Sequence, residues 1–578
     1  MNKKILSIVA FICLLPISSH AGVVNDSTDN HLEDVSKNLD LFNLLFKELD
    51  AYYVDTFDTK KVIKSGIDAM VNELDPYTRY IPEEDEEDFN FMITGEYAGV
   101  GASIGKVGDY ICFTEIYEGT PSHKNGIKAG DRIIEIAGKN ASKLTINEVS
   151  ENLRGEENTD VKLVLQNPNT GKQRKVTIKR EKITLPTIEY CDTLENGIGY
   201  IRFSSFTEKS ADLFKKAFLD LKENKKIESL IIDLRNNPGG LLDQATEIVN
   251  YFIDNQTAIV YTKSKVKALD ETYKATKNPI DNKIPIVVLV NNNSASASEI
   301  FSGAMQDLDR AVIVGERTYG KGLVQSTRPL PFGGNLKVTI SKYYIPSGRC
   351  VQAINYAERN EDGSVKRIPD SLTTEFKTKN GRIVRDGGGI LPDVKMERKE
   401  LSTISYYLYK ENIIFNYVVD YLANHSKIDN PKDFKYTEYD QFKAYAEKQK
   451  FSYKLRMEEY ISSLKDIAKE EGYLDYAKDE FEALEKKLSH NLNQDLSLFE
   501  DEIRKLISIE IMKQLYYQKG YITESLKYDK AKEEAIKILK DKERYTSILQ
   551  PKAKEEVKDD KNDKKASSKK ESSKKNSK

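Results

Sequence analysis

Histidine is scarce in this chain. There are five in 578 residues, at His20, His31, His123, His425 and His490, with none between Cys191 and Cys350. A serine in the middle of the sequence therefore has no neighbouring histidine to act as its base. Cysteine is almost as rare. Cys13 lies in an N-terminal apolar run, while Cys112, Cys191 and Cys350 are odd in number and widely spaced. That pattern supports neither a disulfide framework nor a zinc site, and buried free thiols are expected. The 89 basic and 92 acidic residues leave a net charge of −3, which gives no sign of a nucleic-acid binder. No internal run approaches the roughly 20 apolar residues needed to span a bilayer. At 578 residues the chain is too long for one ordinary core, and three or more domains are expected.

The N-terminus differs from the rest. Lys3 and Lys4 precede ILSIVAFICLLPI, and Ser19-His20-Ala21 follows. A basic segment, a short apolar core and a small-x-small site predict a signal peptide over residues 1–21, cut after Ala21. A periplasmic or secreted protein is the expectation, with an uncleaved anchor as the alternative. Ala10-Phe11-Ile12 lacks the small residues that a lipidated Cys13 would prefer before it.

Residues 22–38 are polar and are expected to be disordered, whereas 39–74 carry apolar positions at helical spacing. With the acidic stretch 83–88 they make up an N-terminal helical region over 22–92. Residues 93–182 read as a compact β-rich module with one amphipathic helix at 144–153. A sheet edge beside a helix is a groove able to accept an extended peptide. Residues 183–395 alternate strand and helix in an α/β layout with buried strands, interrupted by a polar insertion at 353–389. Helical periodicity over 396–550 predicts an all-helical domain, and the Lys/Asp/Glu/Ser-rich tail at 551–578 is expected to be disordered.

The chemistry concentrates in 291–325, where a strand-like run ends in Asn291-Asn292-Asn293 and a cluster of serines and alanines. Ser294, Ser296 and Ser298 all compete as nucleophile at a strand-to-helix turn, where free backbone N–H groups can stabilise an oxyanion. Each could equally cap the helix that starts near Ala297. Lys321, held between Gly320 and Gly322, is the substitute for a histidine base in a Ser–Lys dyad. GERTYGK also fits a phosphate-binding frame, but Gly322 stands where a Ser or Thr would bind Mg²⁺, and extended proline-bearing chain follows instead of a helix. To act as a base, Lys321 must fall from a pKa of about 10.4 toward neutrality through burial. Gln325 lies four residues on, an even offset on one strand face, and can hold the amine without adding charge. In DLRNNPGG, Gly239 and Gly240 let backbone approach a substrate carbonyl. The plainer reading is a βα turn with an Asp233–Arg235 ion pair.

With LDPYTRY, YAGVGASI, GIKAGDRIIEIAG, DLRNNPGG, SASASEIF, GERTYGKGLVQ and YYIPSGR in order over about 39–393, the chain resembles the C-terminal processing peptidases, or tail-specific proteases. The resemblance implies a multidomain α/β fold. Its parts are a PDZ domain, a ClpP/crotonase-like serine protease core, N-terminal helices and a C-terminal all-helical domain. It also implies Ser296 as nucleophile and Lys321, 25 residues on, as base, with Gln325 orienting the lysine. The oxyanion donors it implies are the amides of Ala297 and Gly239, with Gly240 as the fallback. The PDZ carboxylate loop maps to Tyr97, Val100, Gly101, Ala102 and Ser103, with Val100 and Gly101 nearest the ligand. The expected substrates are proteins with unstructured apolar C-terminal tails, and no metal, nucleotide or other cofactor is implied. The 353–389 insertion and the 396–550 helices lie outside the minimal family pattern. A platform for substrate, an adaptor or self-association is expected there. The rival reading is a catalytically silent PDZ scaffold.

Overall fold

The computed structural model describes residues 26–551 apart from 361–363, 399, 426, 429–430 and 489–490. The expected signal peptide, and the charged tail beyond Pro551, lie outside the described residues. The chain divides into two compact units, Met1–Glu73 and Leu74–Lys578.

The first unit contains helices Asp26–Tyr52 and Thr59–Asn72. The first helix begins at Asp26, so most of the segment expected to be disordered over 22–38 is helical. Leu32, Val35, Leu39, Phe42, Phe46 and Leu49 recur at alternating steps of three and four, and this apolar stripe outweighs the polar composition between its members. Edge-to-face contacts of Phe57 with Phe46 and Tyr53 brace the turn. Asp58 caps the second helix by accepting from the Lys61 amide at 3.1 Å.

In the second unit, strand Arg79–Ile81 pairs antiparallel with Asn335–Tyr344. Residues 74–92 thus belong with the α/β unit rather than with the N-terminal helices. The β-rich module has the strand order Ala102–Val107, Tyr110–Ile116, Arg132–Ile136, Asp160–Gln166, Gln173–Lys179. The pair Glu96–Gly99 and Glu181–Thr184 closes it where the chain enters and leaves. Thr145 and Glu148 form a reciprocal cap on helix Ile146–Leu153 (Glu148 N to Thr145 Oγ1 3.2 Å, Thr145 N to Glu148 Oε2 2.7 Å). Val149 and Leu153 fasten the helix to a core of Val100, Phe113, Ile133 and Leu163. Ala102–Val107 is an edge strand, and the helix lies beside it.

The α/β unit is built on a six-stranded sheet. Ile188–Thr193 is antiparallel to Ile198–Phe203, and Ser229–Asp233, Ile286–Val290, Val312–Gly315 and Val394–Lys395 continue it in parallel. The central strands are apolar throughout, so both faces need cover. Helices Ser210–Glu223, Leu242–Asn250 and Ala297–Asp307 cover one face through Phe214, Phe218, Ile248, Phe301 and Met305. The other face, with Ile198, Tyr200, Ile231, Val287, Leu289 and Val312, packs against Ile522, Ala535, Ile536 and Ile538 near the C-terminus. The last helices, Lys530–Lys540 and Lys542–Ile548, therefore form a layer of the α/β unit, not merely part of an appended domain.

A second, antiparallel sheet carries Leu323–Pro329 against Asn335–Tyr344, with a register shift between Val324 and Gln325. The 353–389 insertion contributes two small hairpins and is anchored by Arg382, which pairs with Asp309 at 2.6 Å and Asp393 at 2.5 Å. The helices from Thr403 onward have their own core, including Leu408, Phe442, Leu496 and Ile507. Helix Glu500–Leu526 kinks at Tyr516 and Tyr517, the latter at φ 56°, ψ −150°. Cys112, Cys191 and Cys350 are free, and burial pushes the first two thiols up to about 11. Among the described residues no helix is long and apolar enough to cross a membrane.

Candidate active site

Strand Ile286–Val290 is fully buried and delivers the serine cluster to the C-terminal edge of the parallel sheet. Two of the three serines are engaged structurally. The Ser294 hydroxyl donates to the Leu234 carbonyl at 2.8 Å, and the Ser298 hydroxyl to the Asn237 carbonyl at 2.9 Å. Both are buried, and both tie the serine turn to DLRNNPGG. Ser296 is the half-buried one, and with Lys321, Gln325 and Gly239 it lines a cavity of about 1080 Å³. It sits just before helix Ala297–Asp307 at φ 56°, ψ −116°, a conformation that costs a non-glycine residue energy and is found at sites where geometry matters.

Gly239, at φ 103°, lies against this turn so closely that a Cβ would fall 2.8 Å from Ser296 Cβ and 2.9 Å from the Ala297 nitrogen. At Gly240 a Cβ would fall 2.2 Å from the Phe206 carbonyl oxygen. Only glycine fits either position. The Gly239 amide donates to Asn237 Oδ1 at 2.9 Å, whereas the Ala297 and Gly240 amides have no hydrogen-bond partner among the described residues. The Asp233–Arg235 pair expected beside this turn is present, with Nε to Oδ1 at 2.8 Å and Nη2 to Oδ2 at 2.7 Å. Arg235 also forks onto Asp529, just before helix Lys530–Lys540, at 3.0 and 2.5 Å.

Glu299 joins the serine turn to the lysine loop. Its Oε2 accepts from the amides of Ser296 at 2.9 Å and Lys321 at 2.8 Å. Its Oε1 accepts from the Gly320 amide at 2.7 Å and the Thr318 hydroxyl at 2.6 Å. Full burial pushes its carboxyl up to about 7 in spite of these donors. Burial, helped by the charge of Lys337, brings Lys321 down to about 8 against the pull of Asp75 and Glu299. No hydrogen bond joins the Lys321 ammonium to Ser296 or Gln325 among the described residues. It lies instead 4.2 Å from the centre of the Tyr77 ring. Gln325 donates to Thr339 Oγ1 at 3.2 Å. The even-offset argument does not apply as made, because strand Leu323–Pro329 starts after Lys321, but both residues line the same cavity.

The pattern described as Peptidase family S41 matches residues 197–358, a PDZ domain matches 113–167, and "Probable PDZ-protease, C-terminal helical domain" matches 404–539. A carboxy-terminal-processing protease of Bartonella bacilliformis is 34% identical over 357 residues, covering 61% of this chain and 81% of that one. The chain belongs to this family of serine proteases. A probable CtpA-like serine protease of Staphylococcus aureus (strain COL) is 35% identical over 350 residues, covering 60% of this chain and 67% of the relative. Among solved structures, the photosystem II D1 C-terminal processing protease is 25% identical over 62% of this chain and 92% of its own, with a TM-score of 0.34. The PDZ domain of a Vibrio cholerae carboxy-terminal protease, solved with a peptide, is 27% identical over 16% of this chain and 99% of its own, with a TM-score of 0.15.

In this carboxy-terminal-processing protease the sequence-predicted PDZ residues adopt mixed roles. Val100 is buried in the PDZ core and can offer only backbone, Gly101 turns at φ 74°, and Ala102 and Ser103 open the edge strand. The Tyr97 ring packs edge-on against Phe91 at 5.4 Å and beneath Arg154, and Ser103 shares a hydrogen bond with the Tyr117 hydroxyl at 2.7 Å. The protease's cavity has walls from further off: Glu115 and Tyr117 of the PDZ domain, and Tyr517, Gln518 and Lys519 at the helix kink. Reading the sequence missed Glu299, although S-x-x-E before an apolar run is a recognisable signal for a carboxylate folding back on a helix start.

Proposed function

We propose that this serine protease is an endopeptidase in which Ser296 and Lys321 form the nucleophile–base dyad, cutting proteins near unstructured apolar C-terminal tails captured by the PDZ groove. Ser296 Oγ attacks the scissile carbonyl and the neutral Lys321 amine takes its proton. The Ala297 amide and a glycine amide of the 239–240 turn receive the oxyanion. Among the described residues the Gly240 amide has no partner, while the Gly239 amide donates to Asn237 Oδ1. The observation that carries the reading is the engagement of Ser294 and Ser298 with carbonyls of the DLRNNPGG segment, which leaves Ser296 as the serine of the three that lines the cavity with a lysine of lowered pKa. Gln325, which lines the same cavity, is the residue proposed to orient the lysine. Export to the periplasm or beyond rests on the residues 1–21 pattern alone.

The test is cleavage of a protein bearing an unstructured apolar C-terminal tail by wild type, Ser296→Ala and Lys321→Ala. Both variants should lose cleavage, by at least roughly 10³-fold for a nucleophile or base acting as a unit. In the wild type, kcat/KM should rise as pH increases through about 8, because below that the amine already holds a proton and cannot accept one. Cleavage retained in Ser296→Ala would sink the assignment.

A further inference from the structure

The motif LDPYTRY has no part in the chemistry above, yet it is built tightly against the base. Asp75 is buried and organises its own turn, Oδ1 accepting from the Tyr77 and Thr78 amides, both at 2.8 Å, and Oδ2 from the Thr78 hydroxyl at 3.0 Å. Thr78 Oγ1 in turn accepts from the Thr339 amide at 3.2 Å, and Thr339 is the residue that holds Gln325. This fastens the turn to strand Asn335–Tyr344 and fixes where Tyr77 points. The Tyr77 ring faces the Lys321 ammonium at 4.2 Å. Its hydroxyl donates to the Tyr319 hydroxyl at 3.4 Å and accepts from the Tyr356 hydroxyl at 3.2 Å. Tyr319 belongs to the lysine loop and Tyr356 to a hairpin of the 353–389 insertion, so two segments remote in sequence hold one ring in place.

We infer that Tyr77 is a positioning residue for the base: its ring holds the protonated Lys321 side chain off Ser296 and releases it when the proton leaves. The inference rests on the Ser–Lys reading. The reason is the ring's quadrupole, which attracts an ammonium but has no comparable hold on a neutral amine. The other charged groups facing the ammonium come from three elements. Lys337 on Asn335–Tyr344 repels it, while Asp75 in the turn and Glu299 on helix Ala297–Asp307 attract it without hydrogen-bonding it. Both Glu299 oxygens are already occupied by the donors of the two loops. Among the described residues the Tyr77 ring is the aromatic face over the ammonium, and no hydrogen bond or ion pair holds it elsewhere. The ring favours the protonated, parked state and raises the pH at which the base becomes available.

The test compares the pH dependence of kcat/KM for the tail-bearing substrate, and of labelling by a fluorophosphonate probe, in wild type, Tyr77→Phe and Tyr77→Leu. Tyr77→Leu keeps the site apolar but removes the ring, and its acid limb should move about half a unit to one unit lower. Tyr77→Phe keeps the ring and should keep the wild-type limb. A Tyr77→Leu protein that fails to fold is replaced by Tyr77→Met, with the same expectation. An acid limb that stays in place or moves upward without the ring overturns the inference. So does a Tyr77→Phe limb displaced as far as that of Tyr77→Leu. Lys321→Ala cutting like wild type, or a wild type with no acid limb, overturns the dyad itself, and this inference falls with it.

Discussion

Glu299 takes four hydrogen bonds from two loops that are also joined by the Tyr319 amide to the Ser294 carbonyl and by the Tyr343 hydroxyl to the Ser296 and Lys321 carbonyls, and its burial makes each of the four hard to replace with water. Glu299→Ala would leave the Ser296, Gly320 and Lys321 amides and the Thr318 hydroxyl facing a void. An unsatisfied buried donor costs about 1–3 kcal/mol. The variant is expected to melt several degrees lower and to lose cleavage by more than about 100-fold, since a displacement of about 1 Å at a catalytic pair is enough for that. Glu299→Gln retains one acceptor oxygen and should fall between. Thermal melting together with kcat/KM checks both, and a Glu299→Ala protein that melts and cuts like wild type would remove the clamp from the account. Gly239 and Gly240 act by a different route, because what they contribute is the absence of a Cβ where two backbone segments meet.

At the scale of elements, the turn from Asn236 to Gly240 is held at both ends. The Ser294 and Ser298 hydroxyls and the Ala295 amide fix it to the serine turn through the Leu234 and Asn237 carbonyls, and Arg235 fixes its start to Asp233 and Asp529. Asp529 also caps helix Lys530–Lys540, accepting from the Ala531 and Lys532 amides at 3.0 and 3.1 Å. Asp529→Asn preserves the cap, as asparagine caps about as well as aspartate, but removes the charge facing Arg235. Its kcat is expected to fall roughly tenfold with KM little changed, because the glycine turn serves the reacting carbonyl rather than the tail. Steady-state kinetics checks this, and an unchanged kcat would mean that Asp233 alone holds the arginine. These links also show which parts of the site could be read from the sequence. The serine turn and the lysine loop were legible because each is local, with its residues within one strand–turn–helix unit or between two glycines. The helix starting near Ala297 was legible for the same reason. Tyr77 over Lys321 and Arg235 against Asp529 join residues hundreds of positions apart, and no spacing rule reports such a pairing. The helix start at Asp26 was missed because polar composition was weighed above the apolar stripe running through it.

For the whole molecule, the second face of the six-stranded sheet is the consequential feature. Its cover comes from Ile522, Ala535, Ile536 and Ile538, beyond the helical domain's own core. Ending the chain after Lys527 should therefore not release an unregulated protease. It exposes Tyr200, Ile231, Val287 and Leu289, and the product is expected to be insoluble or to bind the hydrophobic dye ANS strongly. Soluble yield and dye fluorescence measure this, and a soluble, active truncation would contradict it. The same arrangement sets the order in which the α/β unit is assembled. A chain being synthesised emerges N-terminus first, so the strands carrying Ser296 and Arg235 are made some 200 residues or more before the helices that close over them. The six-stranded sheet has all its strands once Val394–Lys395 is made, but one apolar face and the Arg235–Asp529 link wait for the last helices, so the nascent chain carries an uncovered sheet face until its end is delivered.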